Sequence, residues 1–171
     1  YSFTNYIKTS KIPYIEFKDM WHPLIKNNIK NNISQGGKYK KSYIMTGPNG
    51  GGKSTYLRCI AINLLFSQTL GFSYSKNSFI TPFSHIDTYM CIVDKEGKES
   101  LFQAEVNRCK KIKDKIDDKF YYLMVDEIFN STNPVEGMSC SYSFIELLNK
   151  YKNVLGIYST HYNFITKLEK N

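Results

Sequence analysis

Residues 42–70, SYIMTGPNGGGKSTYLRCIAINLLFSQTL, carry the strongest fold signal in the chain. The first of them, 42–46, have the apolar character of a strand, and residues 53–69 have the pattern of a long buried helix that ends near Gly71. The residues between them match G-x-x-x-x-G-K-[ST] in full. The matching residues are Gly47, Pro48, Asn49, Gly50, Gly51, Gly52, Lys53 and Ser54. A strand, a glycine-rich loop and a helix in this order indicate a loop that binds phosphate.

Each part of this loop has a chemical reason to be there. Glycines let the backbone N–H groups converge on phosphate oxygens at a helix N-terminus. Lys53 supplies a mobile cation for the β- and γ-phosphates, and the Ser54 hydroxyl is a ligand for Mg²⁺. The alternative is a glycine-rich turn that carries a lysine by chance, and a full match between a strand and a helix disfavours it.

A second motif is the apolar strand FYYLMV, residues 120–125, which ends in Asp126 and Glu127. In a parallel sheet this end lies beside the phosphate loop, so we expect Asp126 to hold the Mg²⁺ shell. Glu127 is then placed to face the γ-phosphate and polarise a water molecule. The alternative is that the two acids only begin a loop. Glu127 is the residue that would turn a nucleotide binder into a hydrolase.

A third motif, Ser-Thr-His-Tyr at residues 159–162, follows the apolar run VLGIYS, residues 154–159. Because His161 stands at the end of a third strand, we predict that it approaches the γ-phosphate. A purely structural role is the alternative for a single histidine. His22 and His85 have no comparable support from the sequence.

The order of these elements predicts an α/β fold. The predicted strands are residues 42–46, 86–93, 120–125 and 154–159. They alternate with helices at 53–69, around the apolar face of Val106, Cys109, Ile112 and Ile116, and at about 135–150. This alternation predicts a mostly parallel sheet flanked by helices. Before Lys41, the segment YIEFKDMWHPL predicts an antiparallel β addition on one side. We therefore expect one domain, with an antiparallel β portion at 1–40 and a nucleotide-binding core at 41–171.

Composition restricts the class of protein. The chain has 171 residues, of which 42% are hydrophobic and 22% charged, as in a folded globular domain. It has no apolar run of about 18 residues, and its first residues, YSFTNYIKTSK, lack the apolar core of a secretory signal. We therefore expect an intracellular protein with no membrane partner. The four cysteines lack a C-x-x-C spacing and are interpreted as packing residues. Because the chain starts at Tyr1, we expect it to be part of a longer protein.

The net charge of +8 has two interpretations. It could mark a surface that binds nucleic acid or another anion. The basic residues are nearly all Lys and are spread along the chain, with one dense patch at Lys38, Lys40 and Lys41. This spread favours a generally basic surface over a dedicated DNA-binding face.

Four segments together resemble the ATPase domain, domain V, of the MutS-type DNA mismatch-repair family. They are TGPNGGGKST at 46–55, SLFQAEV at 100–106, MVDEIFNSTNPVEG at 124–137 and STHY at 159–162, with the pair His22-Pro23 upstream. Their order and spacing are much more specific than a phosphate loop alone.

The resemblance implies a fold similar to ABC-type ATPases, in which two domains face each other and enclose each ATP. It implies that the loop with Asn49, Lys53, Ser54 and Thr55 holds the phosphates, that Asp126 binds Mg²⁺, that Glu127 is the general base and that His161 senses the γ-phosphate. It also implies that Ser100 is presented to the partner's ATP and that the loop 130–136 crosses the interface. The partner would be a second copy or a paralogous subunit, and DNA would be bound by other domains.

The chain also departs from the family pattern. Gly50 stands where the family usually has Met, and residues 129–134, FNSTNP, replace the usual G-R-G-T-S-T. Gly50, together with FQAE after Ser100, looks more like the organellar and viral MutS-related branch, in a nuclear, cytoplasmic, organellar or viral setting. The aromatic residue that stacks on adenine in the family has no match among Ile29 and Ile33.

Three functions are therefore compared. The first is a MutS-type ATPase whose cycle drives dimer closure and controls a DNA clamp. The second is another ABC-type ATPase, either a DNA-maintenance protein or a transporter subunit. The absence of an L-S-G-G-Q signature disfavours the transporter. The third is a nucleotide-binding dimerisation module with little turnover, which the presence of Glu127 and His161 disfavours.

Overall fold

The computed structural model of the protein describes residues 1–8, 11–90 and 100–162. These ranges contain nine β-strands and three α-helices, so the chain is an α/β protein as predicted. The strands are β1 (Ser2–Tyr6), β2 (Tyr14–Met20), β3 (Asn31–Gly36), β4 (Ser42–Met45), β5 (Phe72–Ser73), β6 (Asn77–Ile80), β7 (His85–Tyr89), β8 (Tyr121–Asp126) and β9 (Val154–Ser159). The helices are α1 (Lys53–Leu70), α2 (Leu101–Asp114) and α3 (Pro134–Asn149).

Four strands form a parallel sheet in the order β4-β9-β8-β7, which confirms the predicted parallel sheet. In the chain α2 lies between β7 and β8, and α3 lies between β8 and β9, as parallel neighbours require. The carboxyl ends of the four strands lie at one edge of this sheet. At that edge Ser159 pairs with Met45 on one side and with Asp126 on the other. The sheet therefore brings the ends of three predicted strands together.

The second sheet has the order β3-β2-β6-β1-β5 and is mixed, because β1 and β6 are parallel while the other pairs are antiparallel. It reaches beyond the predicted segment 1–40, since β5 and β6 follow α1 in the chain. These two strands are short and rich in Ser and Asn, and only alternate residues of β6 are buried. Their sequence consequently gives little strand signal.

Helix α1 is packed between the two sheets. Its buried residues share one core with β2, β3 and β6 of the mixed sheet and with Tyr122, Met124, Leu155 and Ile157 of the parallel sheet. The alternate residues of the parallel strands, including Tyr121, Leu123 and Val125, pack against α2 and α3 on the other face. Burial on both faces explains why β8 and β9 have continuous apolar sequences.

The element boundaries follow from local residues. Gly52 (φ 84°) and Gly71 (φ 75°) flank α1 in left-handed conformations that glycine adopts without strain, which confirms the predicted end near Gly71. Strand β7 begins at His85 and ends at Tyr89, whereas the sequence predicted a strand at 86–93. Residues 91–93 of that prediction lie outside the described ranges. Among the described residues, no helix is long and apolar enough to cross a lipid bilayer.

The cysteines serve packing where the structure describes them. Cys59 lies in the core between α1 and the two sheets, which we call the α1 core. Cys109 lies in the core that the parallel sheet forms with α2 and α3, and Cys140 is half-buried against that second core. Burial raises the pKa of Cys59 to about 11 and that of Cys109 to about 12, so both stay protonated thiols at neutral pH. Cys91 lies outside the described residues.

Asp87 of β7 joins the parallel sheet to α2. Its carboxylate accepts hydrogen bonds from Lys115 Nζ (2.8 Å) and the Tyr121 hydroxyl (3.0 Å), and Arg108 Nη2 lies 3.5 Å away. Burial alone would raise the pKa of Asp87, but the hydrogen bonds from Lys115 and Tyr121 and the charges of Lys115 and Arg108 outweigh it and lower the pKa. The charged form of Asp87 therefore stabilises the fold.

We expect Asp87→Asn to lower the free energy of unfolding at pH 7 by about 1–3 kcal/mol, because two charge-assisted contacts are lost. A folded-state pKa below the unfolded value of about 3.9 means that this contribution is present above that pH and is lost as pH falls through the folded value. Urea unfolding of the parent chain and of Asp87→Asn, at pH 7 and again below about pH 4, measures this contribution. A difference in unfolding free energy between parent and variant that stays constant with pH would contradict the assigned role of Asp87.

Candidate functional site

The glycine-rich loop occupies the space between the end of β4 and the start of α1. Gly50 (φ 76°) and Gly52 (φ 84°) are left-handed, and the N–H of Gly51 donates to the carbonyl of Pro48 at 3.1 Å to form a turn. A Cβ at Gly50 or Gly52 would meet no atom within 4 Å, so the backbone conformation, rather than lack of space, favours glycine. Gly50, the position at which the resemblance led us to expect Met, thus has a left-handed backbone.

The N-terminus of α1 has no side-chain cap, since Gly52 stands at the N-cap position. The first N–H groups of a helix have no partner inside the helix and, together with the helix dipole, attract an anion. Asn49 and Gly50 lie in the exposed outer part of the loop, Thr55 is exposed on α1, and Ser54 is half-buried. This arrangement is suited to binding phosphate.

Lys53 is buried, with 7% of its surface exposed. Its ammonium donates to the carbonyl of Gly47 at 2.8 Å and to that of Pro48 at 3.1 Å, and it lies 3.6 Å from Glu127 Oε1. A buried ammonium of this kind needs paired charges or acceptors. The cation therefore lies inside the loop, next to the acid at the end of β8.

The two acids end β8 in different ways. Asp126 closes the strand, and its Oδ1 accepts a hydrogen bond of 2.5 Å from the hydroxyl of Ser159. Glu127 adopts a left-handed backbone (φ 52°), which costs a non-glycine residue about 1–2 kcal/mol. Its N–H donates to both the carbonyl (3.2 Å) and the hydroxyl (3.1 Å) of Ser159. Such a held, strained residue at a strand end is typical of a functional site.

The Glu127 carboxylate is the centre of the site. Its Oε1 lies 2.5 Å from His161 Nε2 and 3.6 Å from Lys53 Nζ, and its Oε2 accepts a hydrogen bond of 3.0 Å from Asn130 Nδ2. The structure thus brings Lys53, Glu127 and His161 together, although they are far apart in the chain. The contact of Asn130 was not anticipated from the sequence, because that residue lies in the loop where the chain departs from the family pattern.

In the described part of the chain, Ser100 forms no hydrogen bond with Lys53, Glu127 or His161. Its hydroxyl caps α2 by accepting from the N–H of Gln103 at 3.2 Å, and its side chain is exposed. Within the described ranges, its hydrogen bonds all lie inside the first turn of α2. Ser100 is therefore available at the surface and does not contribute to the cluster of the same chain.

A cleft of about 700 Å³ extends from the glycine-rich loop to the segment 22–32. Ile29 is 81% exposed and lines this cleft, whereas Ile33 is buried in the α1 core. Tyr56 also lines it, and burial raises the pKa of Tyr56 to about 12, so it presents a neutral aromatic ring. Of the two isoleucines considered from the sequence, only Ile29 is accessible. His22, which the sequence left without a role, lines the same cleft.

A smaller cavity of about 270 Å³ is lined by Asp126, Glu127, Asn130, Tyr89 and Glu105 among others. Glu105 of α2 is buried and accepts a hydrogen bond from the Ser131 hydroxyl. Burial, followed by the charge of Glu105, raises the pKa of Tyr89. The hydrogen bond between Ser131 and Glu105 links α2, whose N-cap is Ser100, to the loop that follows Glu127.

The donors near the loop suit Mg²⁺. Hydroxyl and carboxylate oxygens, as in Ser54 and Asp126, are the ligands that Mg²⁺ prefers, and the hydrogen bond from Ser159 engages only one of the two oxygens of Asp126. Among the described residues, no group of three or more His, Cys, Asp or Glu side chains could hold a metal ion.

Fold and site together define a class of α/β protein in which a glycine-rich loop, two acids and a histidine converge at one edge of a parallel sheet. Comparison with known families gives the particular assignment. Residues 43–171 match the family model described as MutS domain V. The chain belongs to the MutS family and corresponds to its C-terminal domain V.

Individual relatives agree with this family. The DNA mismatch repair protein MutS of Desulforamulus reducens is 31% identical over 162 residues, covering 91% of this chain and 18% of the relative. That of Microcystis aeruginosa is 31% identical over 165 residues, covering 90% and 19%. That of Carboxydothermus hydrogenoformans is 28% identical over 176 residues, covering 99% and 21%. The chain therefore spans about a fifth of the length of these relatives.

Proposed function

We propose that this chain binds ATP with Mg²⁺ and hydrolyses it as the ATPase domain of a MutS-like DNA mismatch-repair protein, with a P-loop fold of the ABC-ATPase type. The observation that supports this most strongly is the meeting of Lys53, Glu127 and His161 beside an uncapped helix N-terminus. A cation for phosphate, a base for water and a second polar group are the parts that phosphoryl transfer to water requires.

The phosphate groups of ATP would lie on the loop 47–52, where the N–H groups at the start of α1 favour negative charge. Lys53 would exchange the carbonyls of Gly47 and Pro48 for phosphate oxygens. Ser54 and Thr55, the next two residues of α1 after Lys53, would also contact the phosphates. The nucleoside would extend into the large cleft, where Ile29 and Tyr56 offer apolar surface to a base.

Ser54 and Asp126 would hold Mg²⁺, whose charge would offset that of the phosphates. Asp126 is prepared for this role by the hydrogen bond from Ser159, which fixes one carboxylate oxygen. The same strand end positions Glu127 one residue further on. Metal ligand and base are therefore placed by one pair of strands, β8 and β9.

Glu127 would act as the general base. A water oxygen attacks the γ-phosphorus, the bond from that phosphorus to the bridging oxygen of ADP breaks, and the water proton passes to the Glu127 carboxylate. His161 and Asn130 contact the two carboxylate oxygens and fix their direction. Lys53 Nζ lies 3.6 Å from the same carboxylate oxygen that His161 contacts.

A second chain would complete the site. Ser100 stands exposed at the N-terminus of α2, where helix N–H groups favour an anion, and it would face the ATP of the partner. The loop 130–136 would cross the interface, and its contact with Glu127 through Asn130 would connect the interface to catalysis. The partner would be a second copy or a paralogous subunit inside the cell. Through other domains, this cycle would control a DNA clamp.

Two measurements test this function. The first is the binding of a fluorescent ATP analogue in the presence of Mg²⁺ and in EDTA, and the second is the release of phosphate from ATP. We expect binding that Mg²⁺ strengthens and phosphate release that requires Mg²⁺. Binding without any turnover at any protein concentration would favour a dimerisation module instead. No measurable affinity for ATP would contradict the proposal altogether.

A further inference from the structure

Ser159 occupies the central position at the edge of the parallel sheet where the site lies. It ends β9, and its neighbours across the two adjoining ladders are Met45, which leads into the phosphate loop, and Asp126. Its side chain is buried, with 1% of the residue exposed. A buried hydroxyl at this position must have partners within the site.

The hydroxyl of Ser159 has two such partners. It donates to Asp126 Oδ1 at 2.5 Å and accepts from the N–H of Glu127 at 3.1 Å. One side chain thus contacts the carboxylate assigned to Mg²⁺ and the backbone of the residue assigned as base. The N–H of Glu127 also reaches the Ser159 carbonyl at 3.2 Å, so the backbone keeps an acceptor without the hydroxyl. The contact that depends on the side chain alone is the one to Asp126.

A carboxylate that ends a strand can rotate about its side-chain bonds unless a second group fixes it. The hydroxyl of Ser159 fixes Oδ1 of Asp126 and leaves the other oxygen for a cation. Hydrogen bonds of this kind to a ligating carboxylate orient it and strengthen metal binding, typically by about 10- to 100-fold.

We propose that Ser159 is a positioning residue that orients Asp126 for Mg²⁺ and thereby sets the Mg²⁺ requirement of nucleotide binding. This inference rests on the proposed function. Ser159 itself would touch neither nucleotide nor metal and would act through the Asp126 carboxylate.

The test is a Mg²⁺ titration of the chain with a bound fluorescent ATP analogue, which measures binding rather than turnover. For Ser159→Ala we expect the midpoint Mg²⁺ concentration to rise about tenfold, while affinity for the analogue in EDTA equals that of the parent. Ser159→Thr retains the hydroxyl and should return the midpoint to near the parent value. Ser159→Cys carries the test if the alanine variant does not fold, because a thiol keeps the volume but donates weakly.

Ser73→Ala is the matched control, because Ser73 is also buried and its hydroxyl contacts Ser75 in the mixed sheet, away from the site. It should lower the thermal midpoint without changing the Mg²⁺ midpoint. A Mg²⁺ midpoint for Ser159→Ala equal to that of the parent overturns the inference, as does an equal loss of affinity with Mg²⁺ and in EDTA, or a threonine variant that behaves like alanine. A parent chain that does not bind the analogue overturns the proposed function and this inference with it.

Discussion

Lys53→Ala should abolish nucleotide binding by this chain. The ammonium is buried within the loop, and it is the cation that would lie among the phosphates. Charge-assisted hydrogen bonds to phosphate are roughly twice as strong as neutral ones, so the loss of several should weaken binding by about 100-fold or more. Titration with a fluorescent ATP analogue in the presence of Mg²⁺ measures this loss.

Lys41→Ala provides a matched control for Lys53→Ala. Lys41 also donates to two backbone carbonyls, those of Asn149 at 3.1 Å and Tyr151 at 2.8 Å, but these lie at the end of α3 and not in the loop. Its loss should affect stability and leave nucleotide affinity within about twofold of the parent, since no phosphate contact is removed. If Lys53→Ala binds the analogue as tightly as Lys41→Ala does, the loop is not the phosphate site.

Glu127→Gln should keep ATP bound and nearly stop its hydrolysis. The amide has almost the size of the carboxylate and can still accept from Asn130, but it cannot take a proton from water. Removal of a general base typically lowers the rate by about 10²- to 10⁴-fold. Single-turnover hydrolysis of prebound ATP measures the chemical step separately from binding.

Glu146→Gln is the control for this substitution, because Glu146 is exposed on α3, away from the strand ends that form the site. It should turn over ATP at the parent rate. Turnover by Glu127→Gln at that same rate would show that another group accepts the proton. The affinity of Glu127→Gln for ATP should stay close to the parent value, since binding relies on the loop and Lys53.

The central part of the fold could be predicted because its signals are local. The loop 47–54 between an apolar strand and a helix, and the buried runs that became β8 and β9, are recognisable within a few residues. Parallel strands then placed Glu127 and His161 at one edge of the sheet, as the structure confirms. The mixed sheet was harder, since β5 and β6 are short, polar and separated from β1 by α1.

The finer contacts of the site depend on register and on the tertiary fold. Ser159 reaches Asp126 only because these two residues pair across β9 and β8, and no local pattern states that pairing. Ile29 and Ile33 are similar in sequence context, yet one lines the cleft and the other is buried in the core. Ser159 is the first residue of the STHY segment, but the sequence does not indicate its partner, because Asp126 lies 33 residues away in the chain.

The loop 129–134 explains a further part of what the sequence left open. Phe129 is left-handed (φ 59°), its carbonyl accepts from the Tyr162 hydroxyl at 3.1 Å, and its ring packs against Phe102 of α2. Asn130 contacts Glu127, and Ser131 contacts Glu105. The residues that replace G-R-G-T-S-T therefore make specific contacts with the site and with the helix that carries Ser100.

The most direct test of the account is the initial rate of Mg²⁺-ATP hydrolysis per chain, measured over a wide range of protein concentration. A site completed by Ser100 of a second chain must assemble before it turns over, so the specific rate should rise with concentration and level off once the dimer has formed. Ser100→Ala should lower that plateau without changing ATP affinity at low concentration. A specific rate that is constant across the range, in a chain that sedimentation shows to be monomeric, would contradict the shared site.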